Sequence, residues 1–299
     1  MCGRFLNKLP PAEIARLFAT RNVAPNYPAR FNIAPTDPVL AVRWNAKTGE
    51  RSLDALRWGL IPYWAKDMSM SARLINARAE TLATMPAFRE AFQRRRCLIP
   101  ASGFYEWHKD GKTRTPYAIV PADAPLFAFA GLWENWRDPS KGADAPWMRS
   151  CTIVTGEPNA LLAPIHPRMP VILPQDAWAA WLGEAPVDDA GELRALLKPY
   201  PAERMRLYPV SPRVNSVKYD DPSLTEPLMA EGGIPGLIPP PHPPAARVPP
   251  SPPRGAERVG VRWGEAEVRA NRLNYSAILP SIRRVFARLS RVYNRCKTQ

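Results

Sequence analysis

Residues Gly232 to Gly255 form the segment that most limits how this chain of 299 residues can fold. Ten of these 24 residues are proline. Proline lacks a backbone N–H donor and holds φ at about −65°, so such a run favours an extended, semi-rigid linker that builds no core. We therefore predict a folded domain over residues 1–228, a Pro-rich linker over 229–256 and a separate tail over 257–299.

The tail that follows the linker is basic and amphipathic. Arginines alternate there with apolar residues at helical spacing, namely Ile282, Val285, Phe286, Leu289 and Val292, which favours a helix. Residues 229–299 carry 12 Lys and Arg against 4 Asp and Glu, which leaves 29 against 23 for residues 1–228. The net charge of +14 suits a polyanion such as nucleic acid. The tail fits contact with nucleic acid, a membrane surface or an acidic partner, and equally a dispensable extension.

Residues 1–228 show short apolar stretches between turns, together with a few amphipathic helices. The predicted strands are 39–44, 53–60, 117–120, 126–132, 152–155 and 171–173. The predicted helices are 12–20, 85–94, 175–182 and 190–197. Strands that interleave irregularly with helices favour an α+β domain with mixed, coiled sheets over a doubly wound parallel sheet.

Composition disfavours several functional classes. No run of about 18 or more apolar residues occurs and the N-terminus lacks a secretion signal, so we expect a cytoplasmic protein with no membrane contact. Three histidines and four cysteines without a CxxC pair favour neither a disulfide framework nor a metal site. Cys97 and Cys151 lie in apolar, strand-like contexts and are predicted to be inert core thiols. We expect no cofactor.

Cys2 carries two nucleophiles once Met1 is removed. Its α-amine ordinarily titrates at about 7.7 to 8.0 and its thiol at about 8.5, so we expect both groups to be partly reactive at neutral pH. An aldehyde condenses with such an amine to a Schiff base, and the thiol then adds to the same carbon and closes a thiazolidine. The alternative is that Cys2 is an ordinary early residue in a frayed terminus.

Glu106 is a candidate proton carrier. It lies among Phe104, Tyr105 and Trp107, where burial would raise its pKa and suit it to acid–base work at neutral pH. The alternative is that its carboxylate pairs with an arginine.

His166 is the strongest acid–base candidate among the three histidines. It precedes Pro167, which pushes the backbone of His166 toward an extended conformation and constrains the ring. His242 lies in the linker and His108 lies among charged residues. A lone histidine is more often structural, which is the alternative for His166.

Four segments of the domain combine reactive polar side chains with apolar neighbours. They are Cys2-Gly3-Arg4-Phe5, Ile75-Asn76-Ala77-Arg78-Ala79-Glu80-Thr81, Gly103-Phe104-Tyr105-Glu106-Trp107 and Ile165-His166-Pro167-Arg168-Met169-Pro170. In this order they closely resemble the SRAP family, the SOS response-associated peptidases, whose members act as sensors of abasic sites in DNA. Further matches lie at Asn32 to Thr36, Arg57 to Pro62 with Trp64, Arg96 to Pro100, Gly131 to Trp133, and Val214-Asn215. The resemblance covers residues 2 to about 228 and implies a single SRAP domain of coiled, mostly antiparallel sheets with a barrel-like core flanked by helices.

The resemblance also implies a reaction with the ring-opened aldehyde of an abasic site in single-stranded DNA. Cys2 would form a thiazolidine crosslink that shields the lesion from strand cleavage during the DNA damage response. Asn76 would hold the reacting geometry by a hydrogen bond to the sugar or to the N-terminal residue. Glu106 would take and return protons at the α-amine, and His166 would help to open the sugar ring and assist reversal.

DNA contacts are assigned from residue type and from the resemblance together. Arg4, Arg78 and Arg168 are candidates to hold phosphates, which suit the forked donors of arginine. Trp64 and Pro35 are candidates to stack on, or wedge against, bases beside the lesion. In the alternative view, Trp64 is a core aromatic and Arg168 pairs with a buried carboxylate.

Two other functions remain open at the level of sequence. The same catalytic set is compatible with a cysteine peptidase that cleaves itself, as the family name suggests, although only Met1 precedes Cys2 and no propeptide is expected. A noncatalytic basic DNA-binding protein would bind intact and abasic strands alike and would tolerate loss of Cys2. Pro167 departs from the family pattern, and the tail has no counterpart in the family core. We expect a monomer associated with DNA.

Overall fold

The structure, a computed structural model, describes residues 2–186 and 190–228. The predicted linker over 229–256 and the predicted basic tail over 257–299 lie outside the described residues and stay predictions. Within the described ranges, none of the helices has the length and apolar character that a membrane-spanning segment requires.

Twelve strands, four short α-helices and seven short 3-10 helices form the regular structure of the described residues. The strands are β1 (Phe5–Asn7), β2 (Arg30–Ile33), β3 (Pro38–Asn45), β4 (Glu50–Trp58), β5 (Asn76–Arg78), β6 (Arg96–Ala101), β7 (Gly103–Asp110), β8 (Thr113–Pro121), β9 (Phe127–Trp136), β10 (Met148–Gly156), β11 (Met169–Pro170) and β12 (Met205–Pro209). The helices are α1 (Pro11–Leu17), α2 (Arg89–Arg94), α3 (Trp178–Leu182) and α4 (Ala190–Ala195). Because these helices span only one or two turns, the sheets determine the architecture.

Five strands close into a barrel. Strand β3 pairs with β4 and β6, β6 pairs with β9, and β9 pairs with β10, all antiparallel. Strand β10 then pairs in parallel with β4 and completes the ring, so that no barrel strand is left with a free edge. Strands β5 and β11 extend the sheet from β10. The expected α+β domain with a barrel-like core of mostly antiparallel strands is confirmed.

The barrel strands bury side chains on both faces. On β3, Val39 and Ala41 pack into one apolar cluster and Leu40 and Val42 pack into a second one, as the two-residue period of a strand requires. Helix α1 covers the second cluster with Ile14, which is fully buried. Burial on both faces explains why these strands are continuous apolar runs in the sequence.

A second sheet holds the N-terminal strand in its interior. Its strand order is β12, β8, β7, β1 and β2. Strand β1 has only three residues, yet Phe5 lies opposite Ile33 of β2 on one side and Phe104 of β7 on the other. The Phe5 ring also meets the Trp58 ring edge-on, with centroids 5.1 Å apart. The start of the chain is therefore fixed by pairing on both sides and by aromatic packing.

The last described segment packs against this sheet through a buried amide. Asn32 is 1% exposed. Its Nδ2 donates to the Tyr219 carbonyl at 2.8 Å, and its Oδ1 accepts from the Arg4 guanidinium at 2.8 Å. Farther along, the Leu228 N–H donates to the Pro209 carbonyl at 2.9 Å. The chain is thus packed up to residue 228, although the predicted domain boundary itself stays a prediction.

The structure corrects several element boundaries. Predicted strand 171–173 is instead the two-residue β11 followed by a single bridge at Ile172, because its residues pair with two strands in turn: the Val171 N–H donates to the Val154 carbonyl and the Leu173 N–H donates to the Ala128 carbonyl. Predicted helix 85–94 begins only at Arg89. Strand β7 is not predicted, because its outer half is charged and exposed and breaks the apolar alternation on which the prediction depends.

We expect Asn32→Ala to lower the free energy of unfolding by about 3 kcal/mol, because it leaves the Tyr219 carbonyl and the Arg4 guanidinium without their buried partner. Urea denaturation measures the change. Asn45→Ala is the matched control, since Asn45 is exposed and accepts only a local hydrogen bond from the Lys47 N–H; a loss below about 1 kcal/mol is expected there. Equal losses in the two variants would contradict the role of Asn32.

Candidate functional site

Cys2 is fixed and fully buried. The residue is 0% exposed and packs in an apolar cluster with Phe5, Trp58 and Ile165. Its Sγ lies 3.9 Å from the Arg4 carbonyl oxygen, which is a long contact for a weak S–H donor. Because Cys2 is buried and β1, which begins three residues later, is paired on both sides, the alternative of a frayed terminus is wrong.

Burial keeps the Cys2 thiol protonated. Removal from water raises the pKa of this thiol far above its ordinary value, and the nearby Glu106 carboxylate raises it further. The expectation that the thiol is partly ionised at neutral pH is therefore wrong for this structure. Any reaction at Sγ must remove the thiol proton during the attack itself.

Asn76 contacts Cys2 directly. Strand β5 pairs in parallel with β10, which places Asn76 opposite Ile153. From there Nδ2 donates to the Cys2 carbonyl at 2.9 Å. The Oδ1 atom is buried and has no hydrogen-bond partner among the described residues. Since a buried acceptor without a donor is costly, this oxygen is a candidate to bind a donor group of a ligand.

Glu106 is the buried carboxylate of the site. Strand β1 runs antiparallel to β7 with Phe5 opposite Phe104, so the residues that precede Phe5 extend alongside Glu106. Glu106 is 2% exposed, and burial raises its pKa to about 7. The rise in pKa expected from its aromatic surroundings is confirmed. At neutral pH both protonation states are populated, so the carboxyl group can take and return a proton.

His166 lies on the segment that leads into β11. Its Nδ1 is 3.0 Å from both the backbone N and the carbonyl oxygen of Arg168. Where the Arg168 N–H donates to Nδ1, the proton of the neutral ring lies on Nε2. Burial lowers the pKa of His166, whereas the backbone contact with Arg168 raises it and the charge of Arg168 lowers it. The lowered pKa favours a neutral imidazole at neutral pH.

Arg168 is engaged by an ion pair with Glu80. Its Nη1 lies 2.7 Å from Glu80 Oε1 and its Nη2 lies 3.0 Å from Glu80 Oε2. Nη2 also donates to the Thr155 carbonyl. The alternative that Arg168 pairs with a carboxylate is thus confirmed, except that Glu80 is half exposed rather than buried. No role for Glu80 is predicted from the sequence, because its partner lies 88 positions away.

The other predicted DNA contacts differ in how free their side chains are. The Arg4 guanidinium donates to Asn32 Oδ1 and to the Val214 carbonyl, both at 2.8 Å, and so holds the last described segment in place. Arg78 is exposed. Trp64 is 47% exposed, so the alternative that it is a core aromatic is wrong.

Pro35 is presented by a tight turn. The Asp37 N–H donates to the Ala34 carbonyl at 3.1 Å, and Thr36 has φ of 77°, which together describe a type II turn with proline at its second position. Positive φ is uncommon for a β-branched residue, and here the Thr36 N–H is held by the Trp58 carbonyl at 2.8 Å. The turn keeps the half-buried Pro35 in one orientation.

Cys97 and Cys151 are core thiols. Both are fully buried, and burial raises the pKa of Cys97 to about 12 and that of Cys151 well above its ordinary value. The prediction of inert core thiols is confirmed. Among the described residues, no group of three or more His, Cys, Asp or Glu side chains is arranged to hold a metal ion.

Residues 1–217 match the model of the family described as SOS response associated peptidase (SRAP). This chain belongs to the SRAP family. The resemblance of the four segments to that family is thereby confirmed.

Relatives of this SRAP chain occur in bacteria and in vertebrates. The abasic site processing protein YoqW of Bacillus subtilis is 42% identical over 229 residues, which are 76% of this chain and 99% of that protein. The abasic site processing protein HMCES of Gallus gallus is 30% identical over 275 residues, covering 79% of this chain and 80% of that protein. A crystal structure of a protein from Bacteroides thetaiotaomicron has the same fold, with a TM-score of 0.69 at 24% identity over 76% of this chain and 100% of that one.

We expect Cys2 of the folded SRAP domain to react with iodoacetamide at least about 100-fold more slowly than in the urea-unfolded chain, because the folded thiol is buried and protonated. Mass spectrometry of the N-terminal peptide after timed alkylation measures the rate. Cys97 is an internal reference for a buried thiol, and Cys296, which lies outside the described residues, is replaced by Ser. Equal rates for Cys2 in the folded and unfolded chains would contradict its buried position.

Proposed function

We propose that this chain senses abasic sites in single-stranded DNA and forms a thiazolidine crosslink to them through Cys2 after removal of Met1. The observation that carries the proposal is the fixed position of Cys2. Its carbonyl accepts a hydrogen bond from Asn76 at 2.9 Å, and the Glu106 carboxylate lies close enough to raise the pKa of its thiol. Two relatives named abasic site processing proteins, 42% and 30% identical to this chain, support the choice of substrate.

The reaction would begin at the α-amine of Cys2. The unprotonated amine attacks C1′ of the ring-opened deoxyribose, so that a C–N bond forms, the C=O π electrons move to oxygen, and this oxygen takes a proton from solvent and becomes a hydroxyl group. Glu106, whose pKa is about 7, accepts a proton from the amine and returns it to the hydroxyl group, which leaves as water. The product is a protonated Schiff base.

The thiol would then close the ring. Sγ attacks C1′ of the Schiff base, the C=N π electrons return to nitrogen, and the thiol proton passes to the Glu106 carboxylate, which releases it to solvent. The net change is the loss of one water from aldehyde, amine and thiol together. Closure removes the imine, whose acidified C2′ protons would otherwise allow β-elimination and strand cleavage. The crosslink therefore shields the lesion.

Asn76 and His166 would prepare the sugar for this attack. The Oδ1 atom of Asn76 is a buried acceptor with no partner among the described residues, so it suits a sugar hydroxyl or the attacking amine. A neutral His166 with its proton on Nε2, the tautomer that a hydrogen bond from the Arg168 N–H to Nδ1 favours, would donate a hydrogen bond to the ring oxygen as the sugar opens. The same proton transfers, run backwards, would reverse the crosslink.

The DNA strand would be held by the exposed members of the predicted contact set. Arg78 follows Asn76 by two residues, is exposed and suits a phosphate. Trp64 is 47% exposed and would stack on a base, with Pro35 wedged beside the lesion. Arg4 and Arg168 would contact DNA only through guanidinium N–H groups that do not already donate to protein partners.

The protonation states favour this reaction over peptide hydrolysis. A cysteine peptidase attacks with a thiolate, usually stabilised by a protonated histidine. In this site burial raises the pKa of Cys2 and lowers the pKa of His166, which is the opposite of what a thiolate–imidazolium pair requires. Attack by an amine on an aldehyde needs no preformed thiolate.

With single-stranded DNA that carries one abasic site, we expect the mature protein to form an adduct that survives denaturing electrophoresis and whose mass is the sum of the two partners less one water. Cys2→Ala should abolish the adduct, and so should an extra residue ahead of Cys2, because amine and thiol must belong to one residue. The control is the same strand with an intact base. An adduct that persists with the N-terminus blocked would contradict the mechanism, and binding without any adduct would indicate a noncatalytic DNA-binding protein.

We expect the ratio of the wild-type crosslinking rate to that of Glu106→Gln to fall as pH decreases through about 7, the pKa of Glu106. Below that pH the carboxyl group is protonated and no longer accepts the amine proton, whereas above it the carboxylate is fully present. Titration of the substrate and of the amine affects both proteins, so the ratio isolates Glu106. Single-turnover rates from pH 5.5 to about 8.5 measure it, and a ratio independent of pH would remove Glu106 from the proton transfer.

A further inference from the structure

The segments that carry Asn76 and His166 lie on opposite sides of β10. Thr155 of β10 is opposite Arg78 of β5 on one side and opposite Pro170 of β11 on the other. The two halves of the site are therefore separated by one strand. Their relative position depends on the pairing of both segments with β10 and on side chains that reach across this strand.

One side chain bridges it. Arg168, two residues after His166, donates to the Thr155 carbonyl of β10 and reaches Glu80, four residues after Asn76. Both Glu80 oxygens are used, at 2.7 Å from Nη1 and 3.0 Å from Nη2. A bidentate pair of this kind fixes orientation as well as distance.

We propose that Glu80 is a positioning residue that, through Arg168, sets the orientation of the His166 ring toward the sugar. The role rests on the proposed function, since it assumes that His166 acts on the abasic deoxyribose. The link is direct: the backbone N–H and carbonyl of Arg168 both lie 3.0 Å from His166 Nδ1, while the side chain of the same residue is clamped by Glu80. Loss of the ion pair with Glu80 would free the side chain of Arg168, whose backbone contacts the His166 ring.

The surroundings of the pair give it more strength than an ordinary surface ion pair. Exposed pairs usually contribute little. Here the Arg168 side chain is only 19% exposed, although that of Glu80 is 50% exposed. The hydrogen bond from Arg168 lowers the pKa of Glu80, to which the charge of Arg78 also contributes, so Glu80 is a carboxylate at neutral pH.

Arg168 acts on the pKa of His166 in two ways, because its backbone contact with Nδ1 raises this pKa and its positive charge lowers it. Neutralising Glu80 would loosen the backbone contact and leave the charge of Arg168 less compensated. Both changes act in the same direction, so we expect a further fall in the pKa of the ring.

Glu80→Gln tests the proposal, because it keeps the shape and removes the charge. Glu157→Gln is the matched control, since Glu157 lines the same surface hollow of about 360 Å³ as Glu80 and has no assigned role. At saturating abasic DNA we expect the crosslinking rate constant of Glu80→Gln to fall about tenfold through misplacement of the ring. Its affinity for the same strand should change less than about twofold. Glu157→Gln should match the wild type in both respects.

A second measurement does not involve DNA. Nitrogen NMR of the imidazole rings, with His166 assigned by a His166→Gln variant, reports the tautomer and the pKa of the ring. We expect the Nε2–H tautomer in the wild type and in Glu157→Gln, and a lowered pKa with mixed tautomers in Glu80→Gln. If the wild type forms no crosslink, the proposed function fails while this measurement still decides the coupling of Glu80 to His166.

Two results would overturn the proposal. One is a Glu80→Gln variant with wild-type crosslinking rate and wild-type imidazole signals. The other is a Glu80→Gln variant that binds undamaged single-stranded DNA severalfold more tightly at an unchanged crosslinking rate. That result would mean that Glu80 keeps Arg168 from binding phosphate and does not position His166.

Discussion

The pairing of β1 on both of its edges is the constraint on which the rest of the site depends. Ordering a chain end costs about 1–2 kcal/mol of backbone entropy per residue, and a strand of three residues has few hydrogen bonds to offset it. Packing of the Phe5 side chain stabilises the strand as well, since its ring centroid lies 5.1 Å from that of Trp58 and 6.1 Å from that of Phe129. Core packing thus anchors the N-terminus, and Asn76 then fixes the Cys2 carbonyl.

Burial of the site has one physical effect on three groups. A low-dielectric environment disfavours the charged form of any ionisable group. It raises the pKa of the Cys2 thiol, raises that of Glu106 to about 7 and lowers that of His166. All three groups therefore approach their uncharged forms near neutral pH. Such a set can pass protons over short distances without building charge, which suits a condensation that consumes an aldehyde and releases water.

The fold class could be predicted from the sequence because it depends on local patterns, whereas the proposed set of site residues rests on the family resemblance. A continuous apolar run predicts β3, and the aromatic neighbours of Glu106 predict its raised pKa. The charge state of Cys2 could not be predicted, because it depends on residues of β4 and of the segment around Ile165 that close over it. The hydrogen bond from Asn76 to Cys2 joins positions 74 residues apart, so no local pattern predicts it; the family resemblance predicts it as one of two options, a bond to the sugar or to the N-terminal residue.

The arginines around Cys2 show why residue type alone does not reveal a role. Arg4 binds a segment 210 positions away, Arg168 is engaged by Glu80, and Arg78 remains exposed. Two of the three positive charges predicted to hold phosphates are thus used to assemble the protein. Under the proposed function, attraction to any DNA backbone near Cys2 would then be modest, and selectivity would come from the chemistry instead: an undamaged strand offers no aldehyde, so only an abasic site converts a weak encounter into a covalent bond.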